Sequence, residues 1–304
     1  MDYIMTTSEL TKIYGSKVAV ENINIHIREG EIYGLIGRNG AGKTTIMRML
    51  SGLSNPTKGT FSMFGKEGAE AKKYMHQVGV LIEHPGLYPN KSAFENLKIK
   101  ALGLGVYSKS YIDDIITLVG LENTGKKQAG SFSLGMRQRL GIGLAIVGEP
   151  KLIILDEPIN GLDPQGIVEV RKTLERLKNE KGITIMISSH ILDELSKLAD
   201  SYGIIHEGRL LDEFTTEELT DRCGRYVTVR TDDNSRALEV LQAAGFTNSV
   251  IDDNKDIRVD DAIHQTIEMN SILVNAGIGV KELLIKNTSL EDYYLSVTGG
   301  KHNG

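Results

Sequence analysis

The chain has 304 residues, of which 40% are hydrophobic and 25% charged, and its formal net charge is -5. This length and composition predict a folded protein with one large and one smaller domain. The negative balance gives no overall electrostatic attraction to nucleic acid or to an anionic membrane surface, so we expect no nucleic-acid partner.

The sequence also constrains where the protein works. Cys223 is the single cysteine, which excludes an internal disulfide, and the first residues, MDYIMTTSEL, lack the charged and apolar regions of a signal peptide. No apolar run approaches the roughly 20 residues that span a bilayer. We therefore expect a cytosolic protein whose work at a membrane would need a separate partner chain.

Taken in chain order, the first part of the sequence predicts an α/β core. Residues 22–27 (NINIHI) alternate between polar and apolar side chains, which is typical of an antiparallel strand, and residues 59–65 suggest a second one. Residues 92–148 carry helix-length segments with few strand signals, which predicts an inserted helical subdomain. Continuous apolar runs, typical of parallel strands covered by helices, occupy residues 31–36, 151–156 and 182–188.

The C-terminal part of the chain follows a different pattern. A helix begins at Pro164 and ends before Gly182, and a short hairpin covers residues 201–214. From about residue 221, strand and helix patterns alternate in short segments, which predicts a separate small α+β unit. We therefore expect two domains, residues 1–220 and residues 221–304.

A glycine-rich loop between a predicted strand and a predicted helix has the pattern G-x-x-x-x-G-K-T. Backbone N–H groups of such a loop surround phosphates, the lysine neutralises their charge and the hydroxyl after it can ligate Mg²⁺. The alternative is an ordinary glycine-rich turn, but the flanking strand and helix favour binding of a nucleoside triphosphate. The expected binding residues are Gly37, Arg38, Asn39, Gly40, Ala41, Gly42, Lys43, Thr44 and Thr45.

Two carboxylates follow the apolar run LIIL, at the edge where ligands bind in open α/β sheets. We expect Asp156 to hold Mg²⁺ through its hydration shell, and Glu157 to orient the attacking water and accept its proton. The stretch SSH ends another apolar run and brings His190 to the same edge. Plain structural roles remain alternatives for these residues, as does a helix N-cap for Asp163.

Two further segments carry candidate binding residues. Tyr14, in LTKIYG, is a candidate for stacking on an adenine ring, with a half-buried core aromatic as the alternative. The start of the helix in SFSLGMRQR, with Ser133 and Gly135, is a second anion site because free N–H groups and the positive end of the helix dipole lie there. The spacing alone leaves open which anion this second site binds.

With these motifs in this order, residues 4 to about 215 resemble the nucleotide-binding subunit of an ATP-binding-cassette (ABC) transporter. The resemblance implies an α/β fold: a P-loop ABC ATPase core with an antiparallel β subdomain and an inserted helical subdomain, beside the small C-terminal α+β domain. It also implies ATP and Mg²⁺ as cofactors. The implied partners are a second copy of the ATPase and integral membrane permease subunits, which would hold the chain at the inner face of the cell membrane.

The same resemblance implies roles for individual residues. Glu157 is then the catalytic carboxylate, His190 the switch histidine and Tyr14 the adenine-stacking aromatic. Asp163 belongs to a loop between subunits. Ser133 and Gly135 would bind the γ-phosphate of ATP held by the loop of a second subunit that faces the first head to tail.

Two departures from the family pattern concern these sites. Glu83 stands where the family usually has a glutamine that reaches Mg²⁺ through its amide oxygen. A carboxylate is an equally hard ligand with an added negative charge, so we expect tight Mg²⁺ loading. The usual signature, Leu-Ser-Gly-Gly-Gln, lacks one glycine and the amide here, which predicts a weaker contact; it reads Phe132, Ser133, Leu134, Gly135 and Met136.

The segments LIEHPGLYPN and LEDYYLSVTGG resemble ATPases that serve exporters protecting bacteria against bacitracin and lantibiotic peptides. This implies ATP-driven export of an antimicrobial peptide or drug. The alternatives are the ATPase of a peptide-sensing signalling complex, and a soluble ABC-type ATPase acting on nucleic acid or ribosomes. The C-terminal domain shows no cluster of site residues, and both stabilising and regulatory roles stay open for it.

Overall fold

The computed structural model describes residues 3–223, 225–252, 255–260, 262–287 and 289–299. The chain divides into two units, Met1–Thr216 and Glu217–Gly304. The boundary expected between residues 220 and 221 falls inside a helix, Thr216–Cys223. Within the described ranges, none of the helices combines the length and the apolar character that a membrane span requires.

The first unit alternates strands and helices along most of its length. Its strands are β1 (Tyr3–Tyr14), β2 (Lys17–Ile23), β3 (His26–Arg28), β4 (Ile32–Ile36), β5 (Lys58–Met63), β6 (Lys66–Glu67), β7 (Val78–Leu81), β8 (Leu152–Leu155), β9 (Thr184–Ser189), β10 (Ser201–His206) and β11 (Arg209–Thr215). Its helices are α1 (Lys43–Leu50), α2 (Gly68–Lys72), α3 (Ala93–Gly103), α4 (Lys109–Leu118), α5 (Leu134–Ile146), α6 (Pro164–Lys181) and α7 (Leu192–Ser196).

The central sheet of this unit has the strand order β11-β10-β4-β9-β8-β7. Its strands run parallel except for β11, which forms an antiparallel hairpin with β10. Every residue of β4, β8 and β9 is buried, as expected for parallel strands covered on both faces. The three continuous apolar runs of the sequence are therefore three neighbouring strands of one sheet.

A second sheet is antiparallel, with the order β2-β1-β5-β6 and β3 also paired to β1. The prediction of one strand over residues 22–27 is wrong, because β2 ends at Ile23 and β3 begins at His26. Asn22 has a positive φ of 52°, and Oδ1 of Asn24 accepts a hydrogen bond from the backbone N of Glu9, so the chain bends between the two stretches. Both sheets contribute to one hydrophobic core, which includes Leu10, Ile27, Met63, Leu35, Ile154 and Met186.

The helical region lies between β7 and β8 and contains α3, α4 and α5. Ser92 and Glu95 form a capping box that starts α3, since each side chain accepts a hydrogen bond from the other's backbone N. Ser108 and Ser133 cap α4 and α5. The three helices lie within residues 92–148, where the sequence predicted an inserted helical subdomain.

The remaining elements of the chain are α8 (Thr216–Cys223), β12 (Arg225–Thr231), α9 (Asn234–Ala243), β13 (Ser249–Ile251), β14 (Ile257–Asp260), α10 (Thr266–Asn275), β15 (Val280–Asn287) and α11 (Leu290–Thr298). The second unit is built on a four-stranded antiparallel sheet with the order β13-β14-β12-β15. The crossover β12-α9-β13 spans β14, and β14-α10-β15 spans β12, which is a split βαβ arrangement. The core of the unit includes Val227, Val229, Leu241, Val259, Met269 and Leu273.

Candidate functional site

Three of the sequence motifs meet at one edge of the central sheet. Strand β9 lies between β4 and β8, and all three run parallel. Their carboxyl ends therefore bring together the loop after Ile36, the acidic pair after Leu155 and the residues Ser189 and His190. This edge is where open α/β sheets bind ligands.

The loop between β4 and α1 has a backbone that favours glycine at two positions. Gly40 and Gly42 have φ values of 83° and 115°. A Cβ on Gly42 would lie 2.5 Å from Cγ1 of Val20, so no side chain fits there. Gly42 also precedes α1 without a side-chain cap, which leaves the first N–H groups of this helix to a bound anion.

Lys43, the first residue of α1, is buried and points its ammonium group at the loop. Its Nζ donates to the backbone O of Gly37 at 2.6 Å and to that of Arg38 at 3.3 Å. The same Nζ lies 3.0 Å from Oε1 of Glu157, so the two side chains form a buried ion pair. The loop and the acidic pair are thus joined by one cation.

Thr44 and Asp156 present hard oxygen atoms side by side. Oγ1 of Thr44 donates to Oδ2 of Asp156 at 2.7 Å, and Oγ of Ser188 donates to Oδ1 at 2.6 Å. Mg²⁺ is typically bound by one or two such groups together with water and substrate phosphates. Larger clusters of three or more His, Cys, Asp or Glu side chains suited to a metal do not occur in the described ranges. The donor set therefore fits Mg²⁺ held jointly with a nucleotide.

Glu157 is held from three sides, by Lys43, Ser188 and His190. Its backbone N donates to Oγ of Ser188 at 2.9 Å, and its Oε2 lies 2.8 Å from Nδ1 of His190. Its φ of 49° lies in the left-handed region, which is uncommon for a residue with a side chain. Oε1 is buried and faces the ammonium group of Lys43. Lys43 therefore has to leave this oxygen before the oxygen can accept a proton from water.

A cavity of about 340 Å³ lies over these residues. Tyr14 stands at this cavity with 47% of its surface exposed. Ala41 is buried beneath the loop, whereas Arg38 is exposed outside the lining. The cavity is lined by Tyr14, Lys17, Ala19, Asn39, Gly40, Gly42, Lys43, Thr44, Thr45 and Glu157.

Sequence reasoning missed three residues of this site. Ser188 connects Asp156 to the backbone of Glu157, although only its place at the end of an apolar run was visible in the sequence. Lys17 and Ala19 reach the cavity from β2, and the pairing of Lys17 with Tyr14 in the β1–β2 hairpin places them there. No motif marks these two positions, so only the fold reveals them.

Glu83 lies on the surface rather than against the other expected metal ligands. Its Oε1 is 2.6 Å from Nη2 of Arg48, a residue of α1, and more than half of its side chain is exposed. Its φ is 64°. The carboxylate of Glu83 therefore pairs with Arg48. This arginine lies one helical turn after Thr44, the residue that contacts Asp156.

The second candidate anion site lies at the adjoining starts of α5 and α6. Ser133 accepts a hydrogen bond from the backbone N of Met136, and Oδ1 of Asp163 accepts one from the backbone N of Gly166. A Cβ on Gly135 would lie 3.6 Å from Cα of Gly166, so the two helix starts pack together. Among the described residues that line the cavity, none belongs to these two helix starts.

Comparison with known proteins shows which family this chain is similar to. The ABC transporter family profile matches residues 20–160. The bacitracin transport ATP-binding protein BcrA of Bacillus licheniformis is 44% identical over 99% of this chain and 99% of its own length. The lantibiotic transport ATP-binding protein SrtF of Streptococcus pyogenes is 47% identical over 69% of this chain and 90% of its own.

A solved structure shows the same fold for the cassette. The protein cbiO1 from Clostridium perfringens, described as part of the ABC transporter complex cbiONQ, has a TM-score of 0.65 and 29% sequence identity. The match covers 72% of this chain and 91% of that one. The chain therefore belongs to the ATP-binding subunits of ABC transporters, which are ATPases that couple ATP hydrolysis to transport.

Proposed function

We propose that this chain is the ATPase subunit of an exporter of peptide antibiotics of the bacitracin or lantibiotic class. The observation that carries the proposal is the similarity to a bacitracin transport ATP-binding protein over 99% of both chains, which includes the second unit as well as the cassette. A lantibiotic transport protein with 47% identity supports the same substrate class. The chain would work at the inner face of the cell membrane, together with separate integral membrane permease subunits.

ATP would bind in the cavity above the glycine-rich loop. The first N–H groups of α1 and the buried ammonium of Lys43 suit the β- and γ-phosphates, and the exposed ring of Tyr14 suits the adenine. Lys43 contacts only backbone carbonyls and Glu157 in the described structure, so exchanging these acceptors for phosphate oxygens keeps its charge compensated. Asn39 and Thr45, which line the same cavity, add polar contacts.

Thr44 and Asp156 would hold Mg²⁺, which supplies charge neutralisation for the phosphates when it is bound. Their oxygens are already adjacent, and Ser188 fixes the orientation of the Asp156 carboxylate. Glu83 is a further candidate ligand, provided that its side chain leaves Arg48.

Hydrolysis would depend on Glu157 and His190. Glu157 would orient the attacking water and accept its proton on Oε1, the oxygen that Lys43 leaves when it turns to the phosphates. His190 would fix the other oxygen of this carboxylate and contact the γ-phosphate. Both side chains can take part in this step because they follow the adjacent parallel strands β8 and β9.

We also propose that two copies of the chain enclose two ATP molecules. The support is geometric: the helix start with Ser133 and Gly135 carries anion-binding character but does not line the cavity of its own chain. In a head-to-tail pair, this helix start would contact the γ-phosphate held by the other copy, with Asp163 beside it. Loss of that phosphate removes contacts from the pair, so hydrolysis would open it and move the permease subunits.

Export is tested with inverted membrane vesicles that contain this chain and its permease subunits. We expect ATP-dependent uptake of labelled bacitracin or a labelled lantibiotic, and no uptake with the Glu157→Gln variant. Peptide-stimulated ATP turnover without uptake would instead indicate a sensing complex and would contradict export.

A further inference from the structure

Strand β15 is an open edge of the second unit. It is the last strand in the sheet order and pairs with β12 on one side, while its other side pairs with no strand of the described residues. At eight residues it is the longest strand of this sheet. A long open edge presents unpaired backbone N–H and C=O groups that can pair with another strand.

The edge carries exposed apolar side chains on both of its faces. Leu284 is 43% exposed and Ile285 is 52% exposed. Ile285 lies opposite Val227 on the face of the unit's core, whereas Leu284 lies opposite Thr228 on the other face. Proteins usually protect an open edge with charges, a short length or a covering segment, and the middle of β15 has none of these in the described structure.

Charged residues lie on both sides of this apolar centre, with Lys281 and Glu282 before it and Lys286 after it. Glu282 lies two positions before Leu284 and Lys286 two positions after it, so both share its face of the sheet. Leu283 and Ile285 flank Leu284 on the other face. The segment Glu282–Lys286 is therefore complementary to its own reversed copy.

We propose that β15 pairs antiparallel with β15 of a second copy of the chain, with Leu284 opposite Leu284 at a two-fold axis. Glu282 of each copy then lies opposite Lys286 of the other, and Leu283 opposite Ile285. Opposite charges and matched apolar side chains in directly facing positions stabilise antiparallel strand pairs. The result is a continuous eight-stranded sheet, and each copy offers the same surface, as closed two-fold symmetry requires.

The charged side chains on the inner side of β15 support this register. Arg230, next to Glu282 on β12, makes two hydrogen bonds to Asp256, of 2.8 and 2.7 Å, and lies 3.2 Å from Glu282. Asp256, Arg230 and Glu282 thus form a row of alternating sign across the sheet. Lys286 of the second copy extends that row with the next positive charge.

This contact is separate from the ATP-bridged pair proposed for the cassette, and it needs no nucleotide. The two proposals therefore fail independently. Pairing through β15 is measured in EDTA without ATP, whereas the cassette pair is measured as an ATP-dependent dimer of the Glu157→Gln variant.

The test is disulfide formation in the full chain with the native cysteine removed (Cys223→Ser). Facing side chains of an antiparallel pair have Cβ atoms about 5 Å apart, close enough for a disulfide after small adjustment. We expect Leu284→Cys to form covalent dimers at least about tenfold faster than the control Val250→Cys, because pairing raises the local thiol concentration. Val250 is also an exposed apolar residue on an edge strand, with 54% exposure. Equal rates, or a faster reaction at Val250, would overturn the proposal.

Charge reversal in the Leu284→Cys background tests the register. Glu282→Lys and Lys286→Glu each place like charges at both ends of the pair, and we expect either one to slow cross-linking about tenfold. The double variant restores opposite charges between copies and should restore the rate. Glu282→Lys also disturbs Arg230 within its own chain, and the double variant leaves that disturbance in place. Recovery therefore reports the contact between copies, and a double variant as slow as the single ones would contradict it.

Discussion

Nδ1 of His190 lies 2.8 Å from Oε2 of Glu157, while the other carboxylate oxygen faces Lys43 at 3.0 Å. The carboxylate is thus fixed between the strand end of β9 and the phosphate-binding loop. A side chain held in this way is positioned before any substrate arrives, which is the requirement for efficient proton transfer.

We expect Glu157→Gln to lower ATP turnover by a factor of about 100 or more, since the amide keeps the shape of the side chain but cannot accept a proton. ATP binding should be retained, because Lys43 and the helix N–H groups are unchanged. The variant should therefore accumulate as a dimer in sizing chromatography with ATP. A variant that elutes only as a monomer would contradict the ATP-bridged pair.

Tyr14 provides a test of the adenine side of the cavity. Stacking of a base on an aromatic ring contributes about 1–3 kcal/mol, so Tyr14→Ala should weaken ATP binding about tenfold. Tyr14→Phe keeps the ring and should bind normally. Isothermal titration calorimetry measures both, and Tyr3→Ala is the control because Tyr3 is equally exposed, at 46% against 47%. Equal loss in Tyr14→Ala and Tyr3→Ala would exclude stacking.

Glu83 and Arg48 allow two changes with opposite predicted effects. Glu83→Gln removes a negative charge and should raise the Mg²⁺ concentration for half-maximal turnover by about threefold. Arg48→Gln frees the Glu83 carboxylate from its ion pair and should lower that concentration. The measurement is ATP turnover against Mg²⁺ concentration. If neither substitution shifts the curve, Glu83 is only a partner of Arg48 on the surface.

Asp256 gives a pH-dependent prediction for the second unit. The hydrogen bonds from Arg230 hold the pKa of this carboxyl below its ordinary value. A carboxylate with a lowered pKa stabilises the folded state above its unfolded pKa of about 4, and this stability is lost as the pH falls through the folded pKa. Asp256→Asn should therefore lower the free energy of unfolding at neutral pH, and by a smaller amount at about pH 3.

Urea denaturation at both pH values measures this effect. Asp260→Asn is the matched control, since Asp260 also pairs with an arginine but has a side chain that is 41% exposed, against 4% for Asp256. A loss of stability in Asp256→Asn that persists unchanged in acid would show that the ion pair is not its cause.

The strands that build the site were predictable because they are continuous apolar runs. The strands β4, β8 and β9 are buried on both faces, and this burial explains why their residues are continuously apolar. Strand β1 was not predicted, since it pairs with β2, β3 and β5 and its register shifts several times. Such irregular pairing erases the alternation by which strands are recognised.

The same contrast holds for the individual site residues. The loop before Lys43 carries a motif because phosphate binding restricts each position of a short segment. Ser188, Lys17 and Ala19 come from other strands and reach the site only because the fold brings those strands together, which leaves no local pattern in the sequence. The ion pair of Glu83 with Arg48 joins residues 35 positions apart and is likewise visible only in the fold.

Mixing two inactive variants tests whether two copies of the chain share each reaction centre. Lys43→Ala disables the phosphate-binding loop. Ser133→Asp keeps a side chain that caps α5 but repels the γ-phosphate, and Ser133→Asn is its uncharged control. Each of the two disabling variants alone should have little ATP turnover.

An equal mixture of the two should recover up to about a quarter of the wild-type turnover, because half of the random pairs contain one intact shared centre. Full activity of Ser133→Asp alone, or a mixture no more active than its components, would contradict reaction centres shared by two copies.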